Sequence, residues 1–416
     1  MKMTEKIAAL AVFAGILFFP GCKEPEVAVS PVLSDIPVAI EEIAEEEKTT
    51  ENWITIVAAG DNLIHDIIYN RVRVAGDSFN FDPGFIHVKP IIKNADIAFV
   101  NQETVLGGKQ FGFSGYPAFN TPQEAGLALI NAGFTVANQA SNHILDKGEK
   151  AAFATMDFWE SHGIPYLGVF RSEEKRNTER IIIEKNGITV GFLSYTYALN
   201  GYPLPKDKPW MVGLIDKEVM AREIDDLRPH CDLLVVSMHW GLEFQHTPNN
   251  DQKELAELMA LHNVDLILGH HPHVTQPVEV IDRSDGGKLH VYYSLGDFLS
   301  HTQSSRTPDT ITGALAYIRV KKTQTGDNTS CTIETASVIP TVCHYNRERV
   351  PFVVYPLWDY TNELASKHFK EKMTLEYLRG VAQQVFGDRV LDREQYEQLC
   401  SQAEALQQTE QGQVQE

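Results

Sequence analysis

Short apolar runs rich in β-branched residues recur along the chain from residue 54 onward. Positions 54–59, 95–100, 134–137, 187–195, 233–238 and 264–268 have the length and composition of buried strands. Between several of them, 122–132, 148–162, 216–227 and 250–263 carry helical patterns. Strands alternating with helices predict an α/β layered fold. After Pro277 the texture changes, and 278–281, 289–294, 311–320 and 332–339 read as strands with no helix between them. That texture predicts an antiparallel sheet late in the domain, and the two halves together predict a sheet-on-sheet core wrapped by helices. Beyond Pro351 the chain becomes helical and polar over 361–385 and 393–407. It finishes in a Gln-rich stretch to Glu416, read as an appendage with a frayed end.

The first fifty residues follow a different logic. Lys2 and Lys6 precede an apolar run over 7–19 that is short for a bilayer span, and the run closes in Phe19-Pro20-Gly21-Cys22. This is the layout of a signal peptide ending in a sequence that resembles a bacterial lipobox, so Cys22 is the expected lipidation site and a lipid anchor replaces a transmembrane helix. The stretch to about Asn52 is rich in Pro, Val and Glu, including Glu41, Glu42, Glu45, Glu46 and Glu47, and reads as a solvated tether. The predicted division is therefore a lipoprotein signal peptide over 1–22, a flexible acidic tether over 23–52, a main domain over 53–345 and a helical extension with a Gln-rich tail over 346–416. The expected location is the cell envelope, on the extracytoplasmic side of a bacterial membrane.

With 416 residues and 43% hydrophobic content, the chain can bury one large core or two medium ones. Its 56 acidic side chains outnumber 36 basic ones, a formal charge of −20 that repels nucleic acid in the absence of a basic patch. An anionic substrate meets the same repulsion unless metal ions or local Arg and Lys reverse the sign of the potential. Cys231, Cys331, Cys343 and Cys400 form no CxxC pair, which argues against a thiolate metal site. Cys331 and Cys343 are read either as a disulfide or as two separate thiols.

Polar residues of one chemical type follow nearly every apolar run of the first half. Gly60-Asp61 ends the first, with His65 close behind; Asn101-Gln102-Glu103 follows the second; Ser141-Asn142-His143 and Asp146 come after the third. His239-Trp240-Gly241-Leu242-Glu243 and Gly269-His270-His271-Pro272-His273 end two more. Taken alone, Asp61 reads as a helix cap, Asn142 as a turn residue and His239 as a hydrogen-bonded core histidine. Taken in order they predict convergence, because the carboxyl ends of strands in open α/β sheets line the ligand crevice. Oxygen ligands mixed with imidazole suit manganese, zinc, iron or magnesium, and the donors are too many for one tetrahedral ion. Two divalent ions fit better, the arrangement that activates water for in-line displacement at phosphorus.

The series Gly60-Asp61-Asn62-Leu63, Asn101-Gln102-Glu103-Thr104, Ser141 to Gly148, His239-Trp240-Gly241, Gly269 to Val274 and Tyr293 to Phe298 resembles the CapA, or PgsA, family of poly-gamma-glutamate capsule synthesis proteins, over about residues 53 to 300. That family is similar to calcineurin-like metallophosphoesterases, which implies a four-layer αββα sandwich, here with a helical C-terminal extension. The resemblance implies Asp61 at the first metal, Glu103 as the bridging carboxylate, and Asn142 and His239 at the second metal. His271 and His273 complete the two spheres, His143 stands beside the substrate as the catalytic acid, and His270 is a neighbour or alternative ligand. Against the family pattern, His65 stands at Asp-x-x-x-His spacing, Ser141 takes a common Asn position, Gln102 a common Leu position and Asp297 a common Asn position.

Two functions compete on this reading. One is a membrane-anchored hydrolase or transferase acting on poly-gamma-glutamate, a related envelope polymer or a phosphoester. The other is a non-catalytic, metal-braced binding or assembly subunit of a membrane synthase complex. A plain substrate-binding lipoprotein gives no reason for five strand ends to carry ligand-type residues. Anchoring has its own test: Cys22→Ser should release the protein from membranes or block its maturation, as followed by fractionation and mass spectrometry of the N-terminus. Unchanged membrane association, with no lipid on the wild-type chain, would refute it.

Overall fold

Alternate positions of the strand Thr49–Leu63 divide between two cores. In the computed structural model, which describes residues 49–302, 308–346, 348, 352–370 and 373–413, Ile54, Ile56 and Ala58 face one apolar layer while Val57 and Ala59 face another. The same division holds on Leu233–His239, where Leu233 and Val235 point inward and Leu234, Val236 and Met238 outward. A two-residue period with both faces apolar marks a strand covered on each side. The lipidation site Cys22, the signal peptide, the tether up to residue 48 and the end of the Gln-rich tail lie outside the described residues.

Two mixed sheets result, stacked face to face. The first runs in the order Val353–Pro356, Asn328–His344, Thr312–Thr325, Thr49–Leu63, Ile97–Gln102, Val136–Asn138 and Tyr166–Leu167, with Asp297–Ser300 also paired parallel to Thr49–Leu63. The second runs Thr275–Asp282, Lys288–Leu295, Leu266–His270, Leu233–His239, Ile188–Thr196 and Ile181–Lys185. Ile97, Phe99, Val136 and Ile318 of the first sheet meet Val190, Phe192, Val235 and Leu268 of the second in a dry inner layer. Glu124–Ala132 and Gly148–Ser161 cover the outer face of the first sheet, and Lys217–Leu227 and Asn250–Leu261 that of the second. This is the four-layer αββα arrangement, and the described residues fall in one compact unit, Glu47–Glu416. Local capping sets the helix starts: Asp216 accepts from the Val219 N–H, and Asn249 and Gln252 form a reciprocal capping box.

The late strands depart from expectation. They do not form one antiparallel sheet. Thr275–Asp282 and Lys288–Leu295 pair with each other and join the second sheet, where Lys288–Leu295 runs parallel to Leu266–His270. Thr312–Thr325 and Asn328–His344 pair and close onto Thr49–Leu63 in the first. Hairpin periodicity is local and says nothing of which open edge a hairpin joins.

The stretch read as a helix over 361–385 is broken into Asn362–Lys367 and Leu375–Phe386, after an edge strand at Val353–Pro356. Leu357, Tyr360, Met373, Leu375 and Leu378 from this region are buried in the same cluster as Val57 and Trp159. Cys231, Cys331, Cys343 and Cys400 are free thiols, so Cys331 and Cys343 do not pair.

Two glycines set the approach of strand ends to one another. A Cβ on Gly60 would run into the carbonyl oxygen of Gly296, and one on Gly269 into that of Tyr293. Both glycines immediately precede residues of the polar cluster, so close backbone contact there decides where Asp61 and His270 sit. Gly60→Ala should lower unfolding free energy by about 2 kcal/mol or more in urea denaturation, the scale of an overpacking clash against backbone. A variant as stable as the parent would contradict the close contact.

Candidate metal centre

Register carries the polar residues to one place. Across the first sheet Asp61 pairs with Asn101 on one side and Asp297 on the other. In the second, His270 lies opposite His239 and His239 opposite Thr196. The turn Gly269 to Val274 then folds over the junction with His271 at φ 95° and His273 at φ 57°, left-handed conformations that cost roughly 1–3 kcal/mol each outside glycine. Pro272 separates the two, and the strained turn places both imidazoles within reach of Glu243.

Three groups of side chains have donor atoms close enough to share an ion: Glu103 with His239 and His271, Asp61 with Glu103 and His273, and Glu243 with His271 and His273. Glu103 belongs to the first two, the position of a bridging carboxylate. His239 Nε2 lies 2.9 Å from Asn142 Oδ1 and 3.7 Å from Glu103 Oε1, while His273 Nε2 lies 3.9 Å from Glu103 Oε1 and His273 Nδ1 3.1 Å from Asp61 Oδ2. Donor atoms around one ion at bond lengths of about 2.0–2.2 Å are separated by roughly 3.0–3.4 Å, so these spacings are near those of a coordination sphere. The structure thus brings together Asp61, Glu103, Asn142, His239, His271 and His273.

Its polar accounting calls for cations. Glu103 is 1% exposed and neither carboxylate oxygen has a hydrogen-bond partner. Asp297 Oδ2, His239 Nδ1, His271 Nδ1 and both ring nitrogens of His270 are also buried without partners. A buried ionised group in that condition costs several kcal/mol unless a counter-charge meets it, and the chemistry of these donors suits a pair of divalent ions. Electrostatics agrees. Burial, together with Asp61, Asp297 and Glu243, pushes Glu103 well above the ordinary carboxylate range against the opposing charge of His273. Burial and Asp61 likewise raise Asp297. Burial disfavours charge on His273, but Glu103, Asp297 and Asp61 outweigh it and hold that imidazole well above its usual value. Burial also pushes His271 down to about 3 and His270 to about 4, and His239 falls well below normal for the same reason, so all three offer neutral lone pairs at pH 7.

His143 stands apart from the donor groups. Its Nδ1 is 2.7 Å from Asp146 Oδ2, which also accepts from the Phe119 N–H at 2.7 Å, and the ring packs edge-on against Phe119 at 4.7 Å. Asn200 ties the neighbourhood together by accepting from Asn142 Nδ2 at 3.1 Å. His270 lies beside Asp61, 3.7 Å away, but its ring stacks on Phe99. His65 belongs to none of the three groups. Its Nδ1 faces the Leu63 carbonyl at 3.1 Å, and burial lowers it to about 4.

Sequence reasoning did not assign Glu243, Asp297, Asp146 or Tyr197. Asp297 Oδ1 lies 3.0 Å from His273 Nδ1 and so orients that ring, and Tyr197 covers His271 with ring centres 4.5 Å apart. The aspartate at 297, where the resembling family commonly has Asn, was the available signal. Nothing in the local sequence marked Tyr197.

The profile of the family described as bacterial capsule synthesis protein PGA_cap matches residues 55–302. The PGA biosynthesis protein CapA of Bacillus subtilis (strain 168) is 30% identical over 269 residues, which span 64% of this chain and 68% of that one. The capsule biosynthesis protein CapA of Bacillus anthracis is 30% identical over 258 residues, spanning 59% and 61%. Among solved structures, similarity extends to the Haemophilus influenzae NAD nucleotidase (NadN), with 13% identity, a TM-score of 0.42 and coverage of 87% of this chain and 68% of that one. It extends also to the calcineurin-like phosphoesterase YfkN from Bacillus subtilis, with 12% identity, a TM-score of 0.38 and coverage of 81% and 97%.

Protein purified without chelators should carry about two equivalents of manganese, zinc or iron by elemental analysis, as a bridged pair requires. His239→Ala should reduce that number, and EDTA should lower the melting temperature by removing ligands that bind only the folded state. No bound metal, together with no thermal shift on adding any, would remove the site.

Proposed function

Since the chain belongs to the bacterial capsule synthesis family described as PGA_cap, we propose that it is a metal-dependent hydrolase or transferase acting on an anionic envelope polymer such as poly-gamma-glutamate, or on a phosphoester. The observation that carries this reading is His143 held by Asp146 beside a cluster of metal-ligand side chains. A bracing site needs ligands only, whereas an imidazole with one nitrogen tied to a carboxylate is built to move a proton or hold a hydrogen bond at the other.

Asp61, Glu103 and His273 would hold one ion, and Glu103, Asn142, His239 and His271 the other. Bound there, the pair supplies Lewis-acid charge to a carbonyl or phosphoryl oxygen and acidifies water. No Lys or Arg ion-pairs with Asp61, Glu103 or Asp297 among the described residues, so an anionic substrate depends on that added charge.

The protein's own contribution is orientation and proton transfer. Asp146 accepts from His143 Nδ1–H, which leaves Nε2 for the substrate: as imidazolium the ring gives its Nε2 proton to a leaving oxygen, and as the neutral tautomer Nε2 accepts one from water. Asp297 fixes the ring of His273 in the same way. Tyr197 shields His271 from water on the outer side, although 44% of the tyrosine stays exposed.

Anchoring is assigned to lipid on Cys22, with a membrane synthase as the partner complex. Among the described residues no helix is long and apolar enough to cross a membrane.

His143→Ala removes no proposed ligand. Metal content and melting temperature should stay near those of the parent, while turnover of phosphomonoesters, phosphodiesters or poly-gamma-glutamate falls by about 10²- to 10⁴-fold, the range for a positioned acid. If metal-loaded parent protein turns over nothing in that screen, and His143→Ala still supports envelope-polymer production in cells, the centre is a metal-braced binding surface instead.

A further inference from the structure

At one edge of the sandwich the two sheets end unequally. The first stops at the two-residue strand Tyr166–Leu167, whereas the second continues past Ile188–Thr196 to Ile181–Lys185. The short helix Glu173–Thr178 lies in the chain between those two edge strands. A cavity of about 720 Å³ opens there, well within the range of a small-molecule site.

Its floor is apolar, with Leu167 and Phe192 from the inner layer and Ile181 beside them. Its rim carries Arg171, Lys175, Arg176, Arg180 and Arg222 against four carboxylates, a local excess of positive charge in a chain of net −20. Arg171 pairs with Asp157 and Glu160, Lys175 with Glu179, Arg176 with Glu223 and Arg180 with Asp226. The pair of Arg180 with Asp226 lies at the surface and contributes little to stability, so a ligand anion can replace that carboxylate at small cost, whereas Arg176 and Glu223 are mostly buried. Arg222 is exposed and makes no ion pair among the described residues.

The cavity wall also includes Ser194, which begins a buried chain of hydrogen bonds. The Ser194 hydroxyl donates to Asn138 Oδ1 at 2.5 Å, Asn138 Nδ2 donates to Asn101 Oδ1 at 2.7 Å, and Asn101 Nδ2 donates to Asp61 Oδ1 at 2.7 Å. Ser194 is the most exposed of the four at 4%. An ionised carboxylate only accepts, so Asp61 dictates the orientation of Asn101, Asn101 that of Asn138, and Asn138 the hydroxyl hydrogen of Ser194. The Ala140 backbone holds Asn138 in the same orientation, accepting from its Nδ2 and donating to its Oδ1 at 3.2 Å each, so the chain links the cavity wall to Asp61 through amides of fixed orientation.

We propose that this cavity is a second binding site, for a small amphipathic anion with a carboxylate or phosphate head and an apolar body, and that its occupant acts on Asp61 through Ser194, Asn138 and Asn101. The coupling rests on the dinuclear reading of the centre; the binding does not.

The test is calorimetric titration of the full chain with decanoate, below its micelle concentration, and with decylamine as the charge-reversed probe. Decanoate should saturate at about one equivalent and decylamine should not bind. Arg222→Glu removes the exposed cation, and Asn177→Trp places bulk over the opening from an exposed position. Each should weaken decanoate about tenfold, the first by loss of one charge-assisted contact and the second by obstruction, with an unchanged melting temperature. Saturating decanoate should shift manganese affinity about fivefold in the parent and not in Ser194→Ala.

No saturable decanoate binding, equal binding of decylamine, or parent-like binding by both variants overturns the site. Binding with unchanged manganese affinity overturns the coupling. A parent that takes up no manganese at all removes the dinuclear reading instead, and the decanoate titration still decides the cavity.

Discussion

Asp61, Glu103 and Asp297 are buried around the imidazole of His273, which they hold above its usual value, and the cost of holding that much negative charge away from water organises the rest of the centre. Each carboxylate would otherwise take up a proton, as burial already urges for Glu103 and Asp297. Asp61 escapes: burial pushes it upward, but His273, His270 and the amide of Asn101 outweigh burial and hold it below its normal value. The neutral imidazoles of His239, His270 and His271 lie alongside with lone pairs unmet. A cation would offset that cost, and the donors lie close enough together to share one.

Holding the donors in register requires backbone geometry that packing alone would not select. His271 and His273 sit in left-handed conformations on either side of Pro272. Gly60 and Gly269 let neighbouring strand ends approach within a distance no side chain permits. These costs fall on the residues flanking the cluster, while the strands behind them are apolar on both faces and supply the rigidity that keeps the strain in place. Chemistry and stability are thus divided along each strand: apolar alternation in the body and polar residues at the carboxyl end.

Beyond the donors, a network of amides sets orientation. Asn101 and Asn138 join Asp61 to Ser194, while Gln102 accepts from Asn62 at 2.6 Å and donates to Thr104. Buried polar chains of this kind are rigid when every member is satisfied. One of them runs from the centre to the open edge of the sandwich, which places a cavity with a cationic rim in mechanical contact with a proposed ligand.

The layered α/β character is legible in the chain's local pattern, because two-residue alternation with apolar residues on both sides is a property of each strand alone. Convergence of the polar residues that follow the apolar runs is legible in the same way, while the particular set Asp61, Glu103, Asn142, His239, His271 and His273 came from the resemblance to the capsule family. Only the tertiary structure decided what depends on pairing between distant segments. It sent the two late hairpins to different sheets, set Asp297 beside Asp61, brought Glu243 within reach of His271 and His273, and left Cys331 and Cys343 unpaired. It also buried Leu357, Tyr360 and Leu378 of a segment whose polar composition suggested an appendage. The edge cavity is of the same kind, for it exists because one sheet outruns the other. Periodicity and residue type are carried by neighbours in the chain, whereas register, sheet width and burial are carried by contacts that form only when the chain has closed on itself.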